Sequence, residues 1–183
     1  MPLFPSVSTG ERLASVFAKF NTGVEKPLLQ LHHNLMRNED SPLSVGEREL
    51  IAAYVSGIAN CQYCTNIHGL VAEHFGVQEG LLVSLLEDID SADINEDFKA
   101  ILKYVKKVTI DPTKLIQTDV DDVLEAGWSE RALYDALMVC CTWNFMNRLV
   151  GGLGLELSPD QYKDSADMLK GGYDTVIKKL GLK

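Results

Sequence analysis

The sequence predicts an all-α fold, a single-domain helical bundle, on three observations. Apolar residues recur at helical spacing along nearly the whole chain, no alternating strand or tight hairpin interrupts them, and helix start and stop residues punctuate the pattern. With 183 residues and 46% apolar side chains, the chain is long enough for one domain with its own core and too apolar for disorder. The expected domain is 1–183, with its informative core at 44–76.

Residues 9–22 and 25–37 read as two short helices hinged near Gly23. After Pro42, Ser44-Val45-Gly46-Glu47 has the spacing of a capping box. Leu50, Ile51, Tyr54, Val55 and Ile58 then follow at helical intervals. Gly57 and Asn60 read as stop and restart, with Asn60 expected to cap a helix that runs to Phe75 and ends at Gly76. Residues 78–88, 95–109 and 118–126 are expected to be helical, broken at Asp90-Ser91 and Asp111-Pro112. Ser129 opens the most apolar helix, through Leu137, Met138, Trp143, Phe145 and Leu149, ending in a loop at Gly151-Gly152-Leu153-Gly154. Ser158-Pro159-Asp160 is a cap with proline at the first helical position, so a last helix is expected to about Leu180.

A net charge of −9 and a pI near 4.9 argue against nucleic acid or an anionic membrane as partner, since both repel an acidic surface. Basic residues occur singly or in pairs such as Lys106-Lys107 and Lys178-Lys179. The start, MPLFPSVSTGERL, lacks the basic and apolar regions of a signal peptide, and no apolar run reaches 18 residues. A cytoplasmic location is expected. The four cysteines fall as two close pairs, Cys61/Cys64 and Cys140/Cys141, which in a reducing compartment suggests redox or metal chemistry rather than a disulfide framework.

Chemistry concentrates between Glu49 and His68. At about 100° per residue, Cys61, Cys64 and His68 share one narrow helix face, while Tyr63 points elsewhere. A reversal near residues 58–59 would put Glu49 and His68 equally far from the turn and at one level. Glu49 could then orient His68, and His68 could serve Cys64. A thiolate is favoured near a helix amino terminus or an imidazolium, and cysteines at i and i+3 can close a disulfide at a helix start. One thiolate would attack an electrophile such as a peroxide, the other would condense with the sulfenic acid, and an external dithiol would restore the pair.

The pattern Glu-x11-Cys-x-Tyr-Cys-x3-His resembles the alkylhydroperoxidase D-like core of the carboxymuconolactone decarboxylase superfamily. The segment Trp143-Asn144-Phe145-Met146-Asn147-Arg148-Leu149 with the glycines after it resembles the peroxidase-related branch. The resemblance spans roughly residues 20–180, although only 49–68 is motif-specific. It implies an all-α fold assembled as a homo-oligomer, trimer or hexamer. It also implies hydroperoxide reduction through a disulfide relay, without a metal or other cofactor, recharged by a dithiol-bearing protein. In that scheme Cys64 attacks peroxide and Cys61 resolves. Proximity to the helix start favours Cys61 instead, whereas proximity to His68 favours Cys64. Tyr63 stands where some members carry histidine, which weakens one possible proton donor. The lactone decarboxylases generally lack the cysteine pair, which argues against decarboxylation.

Other readings accompany these. Cys61 and Cys64 could be an inert buried pair or, with His68 and one of His32, His33 or His74, hold a metal. The chain could be a general disulfide oxidoreductase or a redox sensor. Glu49 could be solvated beside Arg48, and His68 could be a satisfied core histidine. Cys140 and Cys141 are expected to be core packing. The pair His32-His33 is expected at the surface, and Asn144, Asn147 and Arg148 are expected to pair with one another, face a subunit or line the pocket.

Overall fold

In the computed structural model, which describes residues 1–181, every regular element is helical. Leu182 and Lys183, the end of the expected domain 1–183, lie outside the described residues. In chain order come α1 (Leu13–Phe20), α2 (Glu25–Met36), α3 (Val45–Ile58), α4 (Gln62–His74), α5 (Leu81–Glu87) and α6 (Glu96–Ile110). A 3₁₀ turn (Pro112–Lys114), α7 (Gln117–Glu125), α8 (Glu130–Leu153), α9 (Pro159–Leu169) and α10 (Tyr173–Leu180) follow. The chain forms the all-α, single-domain bundle that its pattern predicts.

α3 is the axis. Its capping box closes as expected, Glu47 N–H donating to Ser44 Oγ at 3.2 Å and Ser44 N–H to Glu47 Oε2 at 2.7 Å. Every residue from Arg48 to Ser56 is buried, as in a helix enclosed on all sides. α4, α5, α6 and α8 surround it, while α9 covers α4 and α10 lies across α2.

α3 and α4 form an antiparallel hairpin joined by residues 59–61. Asn60 does not cap α4 as expected. It adopts the left-handed conformation, φ 56°, that lets the chain reverse, and Cys61 takes the N-cap position. Asparagine tolerates that conformation because its short polar side chain can bond locally. At the far end Gly46 presses on the end of α4: a Cβ there would lie 2.9 Å from the Phe75 carbonyl oxygen. The hairpin register is thus fixed at both ends.

Two helix-end expectations need correction. α8 runs straight through Gly151 and Gly152 to Leu153, and Gly154 alone, at φ 67°, ends it. The expected last helix is two, broken at Gly171-Gly172. Gly172 has φ 80°, and a Cβ on it would meet His33 Nδ1 at 2.8 Å, so α10 docks closely on α2.

Two burial expectations also fail. His32, expected at the surface, is 2% exposed, because α8 and α10 cover its face of α2. Cys140 is core as expected, but Cys141 is exposed. Val139 and Cys140 share the covered face of α8, and the next step of about 100° carries Cys141 past it. Among the described residues, no helix is long and apolar enough to cross a membrane.

Candidate active site

The hairpin brings Glu49 and His68 together. His68 Nδ1 lies 2.7 Å from Glu49 Oε2, with the carboxylate fully buried and His68 7% exposed. The second carboxylate oxygen accepts from Arg37 Nη1 at 2.7 Å. Burial alone would raise the Glu49 pKa, but the hydrogen bond and charge of His68, with those of Arg37, outweigh it and hold it below the ordinary value. An ionised carboxylate only accepts, so Nδ1 carries the proton, and in the neutral ring Nε2 is left as a base.

Arg37 was not singled out from the sequence. It ends α2, donates from Nη2 to the Leu169 carbonyl at the end of α9 at 2.8 Å, and lies 5.0 Å over the Phe75 ring. One guanidinium thus ties α2, α3 and α9 around Glu49. A buried carboxylate needs such a second partner, but nothing in the spacing of the chain announces which arginine supplies it.

Cys64 and His68 line one cavity of about 90 Å³, together with Tyr63, His32, Trp143 and Tyr173. That volume accommodates several waters or a small organic group. Its walls are otherwise mostly apolar, contributed by α1, α2, α4, α8, α9 and α10. Trp143 and His68 pack edge to face, ring centres 4.7 Å apart, which restricts the imidazole. His32 Nδ1–H donates to the Leu28 carbonyl, 2.6 Å away, and burial lowers the His32 pKa to about 4.

Tyr63, expected to project away from the cysteine face, lines the same cavity. Its hydroxyl accepts the Leu13 backbone N–H at 2.9 Å and so caps α1. Burial pushes its pKa well up and keeps it a neutral phenol.

The two thiols are free, buried and differ in charge preference. Cys61 is 9% exposed and Cys64 4%. The neighbouring Cys64 thiol, with the Cys64 and Tyr63 amides at the start of α4, outweighs burial and lowers the Cys61 pKa. The same thiol pairing, with burial, pushes the Cys64 pKa up. Cys64 faces the cavity, whereas Cys61 is not among its lining residues.

Among the described residues, no group of three His, Cys, Asp or Glu is arranged to hold a metal ion. His33 pairs with Asp174 at 3.6 Å and His74 with Asp167 at 3.3 Å, both away from the cysteines. Asn144 Oδ1 accepts from Arg148 Nη1 at 3.0 Å, as the pairing expectation held, while Asn147 is buried apart from that pair.

Residues 23–107 match the sequence model of the carboxymuconolactone decarboxylase family. No curated protein matches the chain. Among solved structures, the chain is similar to a peroxidase-related protein of Ralstonia eutropha JMP134 described as an alkylhydroperoxidase AhpD core. Identity is 20%, coverage 84% of this chain and 80% of that one, and the TM-score 0.73. A peroxidase-related protein of Silicibacter sp. TM1040 is 23% identical over 82% of this chain and 78% of its own, TM-score 0.74. The debrominase Bmp8 is 17% identical over 84% and 81%, TM-score 0.70.

Proposed function

On the premise that residues 23–107 form a carboxymuconolactone decarboxylase family core within an alkylhydroperoxidase D-like fold, we propose that this chain is a thiol-dependent peroxidase. It reduces hydroperoxides through Cys61 and Cys64, with His68 moving the proton and Glu49 orienting His68. The observation that carries this reading is the 2.7 Å Glu49–His68 bond beside a cavity that Cys64 also lines.

In this reading Cys64 cleaves the peroxide bond and Cys61 resolves the product. His68 Nε2 takes the Cys64 proton, and the thiolate attacks the outer peroxide oxygen. An S–O bond forms, the O–O bond breaks, and the departing alkoxide takes a proton from His68. Cys61 then attacks the Cys64 sulfur, an S–S bond forms and water leaves. Cys61 suits this second role because its environment already favours the thiolate. A dithiol-bearing protein returns two electrons and two protons. Tyr63 keeps its O–H to donate while its oxygen caps α1. The working assembly is a homo-oligomer in a reducing, cytoplasmic compartment, and the cycle uses no metal or organic cofactor.

One equivalent of an alkyl hydroperoxide should convert two thiols into a Cys61–Cys64 disulfide and one alcohol. Cys64→Ser should abolish dithiol-dependent peroxide consumption while the helical fold persists. Peroxide loss at the wild-type rate in that variant overturns the reading.

A second reading has one observation in its favour. His32, Trp143 and Tyr173 give the cavity aromatic walls, and the similar fold of Bmp8 belongs to a debrominase. Thiol-driven removal of bromine from an aromatic ring would release bromide from a brominated aromatic in the presence of dithiol, where peroxidase activity alone would not.

A further inference from the structure

Resting on the peroxidase reading, we propose that Tyr173 is a further catalytic residue, whose phenol O–H donates to the oxygen that leaves when Cys64 cleaves the peroxide bond. Tyr173 opens α10, outside the family-matched region 23–107 and outside the cysteine motif. It is 5% exposed, yet its hydroxyl finds no hydrogen-bond partner among the described residues. Burying a hydroxyl without a partner carries a desolvation cost with no return. Phenylalanine would fill the same space without that cost, so the oxygen points to a polar occupant of the cavity.

The position is built. Gly172, left-handed and without room for a Cβ against His33, sets α10 close on α2. The Tyr173 ring then packs 5.2 Å from His32, and its hydroxyl lies within the fields of Glu49, Arg37 and Cys64. Most neighbouring polar groups are already engaged, Arg37 Nε and Trp143 Nε1 excepted. Glu49 serves Arg37 and His68, Tyr63 accepts from Leu13, and His32 Nδ1 bonds the Leu28 carbonyl. A molecule in the cavity therefore lies against Cys64, His68 and Tyr173 together.

The chemistry needs a donor there. As the Cys64 thiolate forms its S–O bond, negative charge moves to the leaving oxygen, and a fixed donor at that oxygen is stronger in the transition state than before it. Burial and the Glu49 charge keep the phenol protonated, so it donates a hydrogen bond and retains its proton. The proton that completes the alcohol is the one His68 removed from Cys64. The balance is Cys64-SH plus ROOH giving Cys64-SOH plus ROH.

The test compares the reduced full chain with Tyr173→Phe by stopped-flow thiol oxidation. Two oxidants are used: tert-butyl hydroperoxide, whose alkoxide leaves poorly, and peracetic acid, whose carboxylate leaves well. Tyr173→Phe should slow the first by about 10²-fold, the scale of losing one oxyanion donor, and affect the second far less. Its Tm should be no lower than wild type, because an unpartnered hydroxyl has been removed. Equal slowing with both oxidants would mean a donor to the thiolate instead, and overturns the proposal. Unchanged rates or a lowered Tm overturn it as well. Wild-type thiols inert to both oxidants overturn the peroxidase reading, and this assignment with it.

Discussion

Glu49 gives one carboxylate oxygen to Arg37 and the other to His68, and that division decides what its loss should do. Glu49→Gln keeps the shape but removes the charge, leaving the largely enclosed Arg37 guanidinium, 12% exposed, without its counter-ion. Breaking a buried pair in this way costs about 3 kcal/mol or more, to be read by urea denaturation. The variant should also oxidise with alkyl hydroperoxide about 10²-fold more slowly, the lower range for losing acid–base assistance. His32 makes a separate prediction. Its folded pKa is about 4 against 6.5 for the free side chain, so the unfolded chain binds the proton more readily. The His32 contribution to stability should be constant above about pH 6.5 and fall by about 3 kcal/mol as pH drops from there toward 4. Glu49 acts in a more acid window: its stabilising charge is present above its unfolded pKa and lost as pH falls through the lower folded value. His32→Phe should flatten the decline between pH 6.5 and 4, as measured by urea midpoints across that range. An unflattened decline would place the responsible titration elsewhere.

At the scale of elements, the α3–α4 hairpin converts sequence distance into contact. The left-handed Asn60 closes one end and the bare Gly46 presses on the Phe75 carbonyl at the other. Gly46→Ala tests that clamp. Ordinary helix propensity would gain up to about 1 kcal/mol, but forcing a methyl against a carbonyl costs about 1–3 kcal/mol. The variant should lose stability, and its thiol oxidation should slow as Glu49 and His68 slip out of register. A gain in stability would show that the helix ends separate freely. The Glu49–His68 pairing was legible in the sequence because a short helical hairpin has only one simple register. The entry of Arg37, His32 and Tyr173 into the site was not, because each arrives from a helix whose packing angle no local pattern specifies. The α9–α10 break was legible in principle: Gly171-Gly172 is a strong stop signal inside an otherwise continuous apolar pattern.

For the whole molecule, the outer face of α8 is the feature left uncovered. Tyr134, Cys141 and Phe145 fall at helical spacing on it, with Tyr134 59% and Phe145 54% exposed. Large aromatics in a row on an acidic surface suit an interface between copies of this chain. Light scattering at micromolar concentration should therefore report an oligomer, and Phe145→Glu should lower the mass toward that of one chain without loss of helical signal. A monomeric wild type removes the oligomer from the proposal but leaves the cavity chemistry intact, since all its residues come from one chain.

The amino-acid pattern by itself determined that the chain is helical throughout, where its capping box lies, and that Glu49 meets His68 across a helical hairpin. Those are properties of periodicity and short-range spacing, which local backbone geometry fixes. Only the tertiary structure decided which helices enclose the thiols, which arginine neutralises Glu49, and which phenol of the cavity wall is buried without a partner. These depend on side chains from α2, α8 and α10 meeting far from their neighbours in sequence, and the free energy that selects such contacts comes from burying whole helix faces at once.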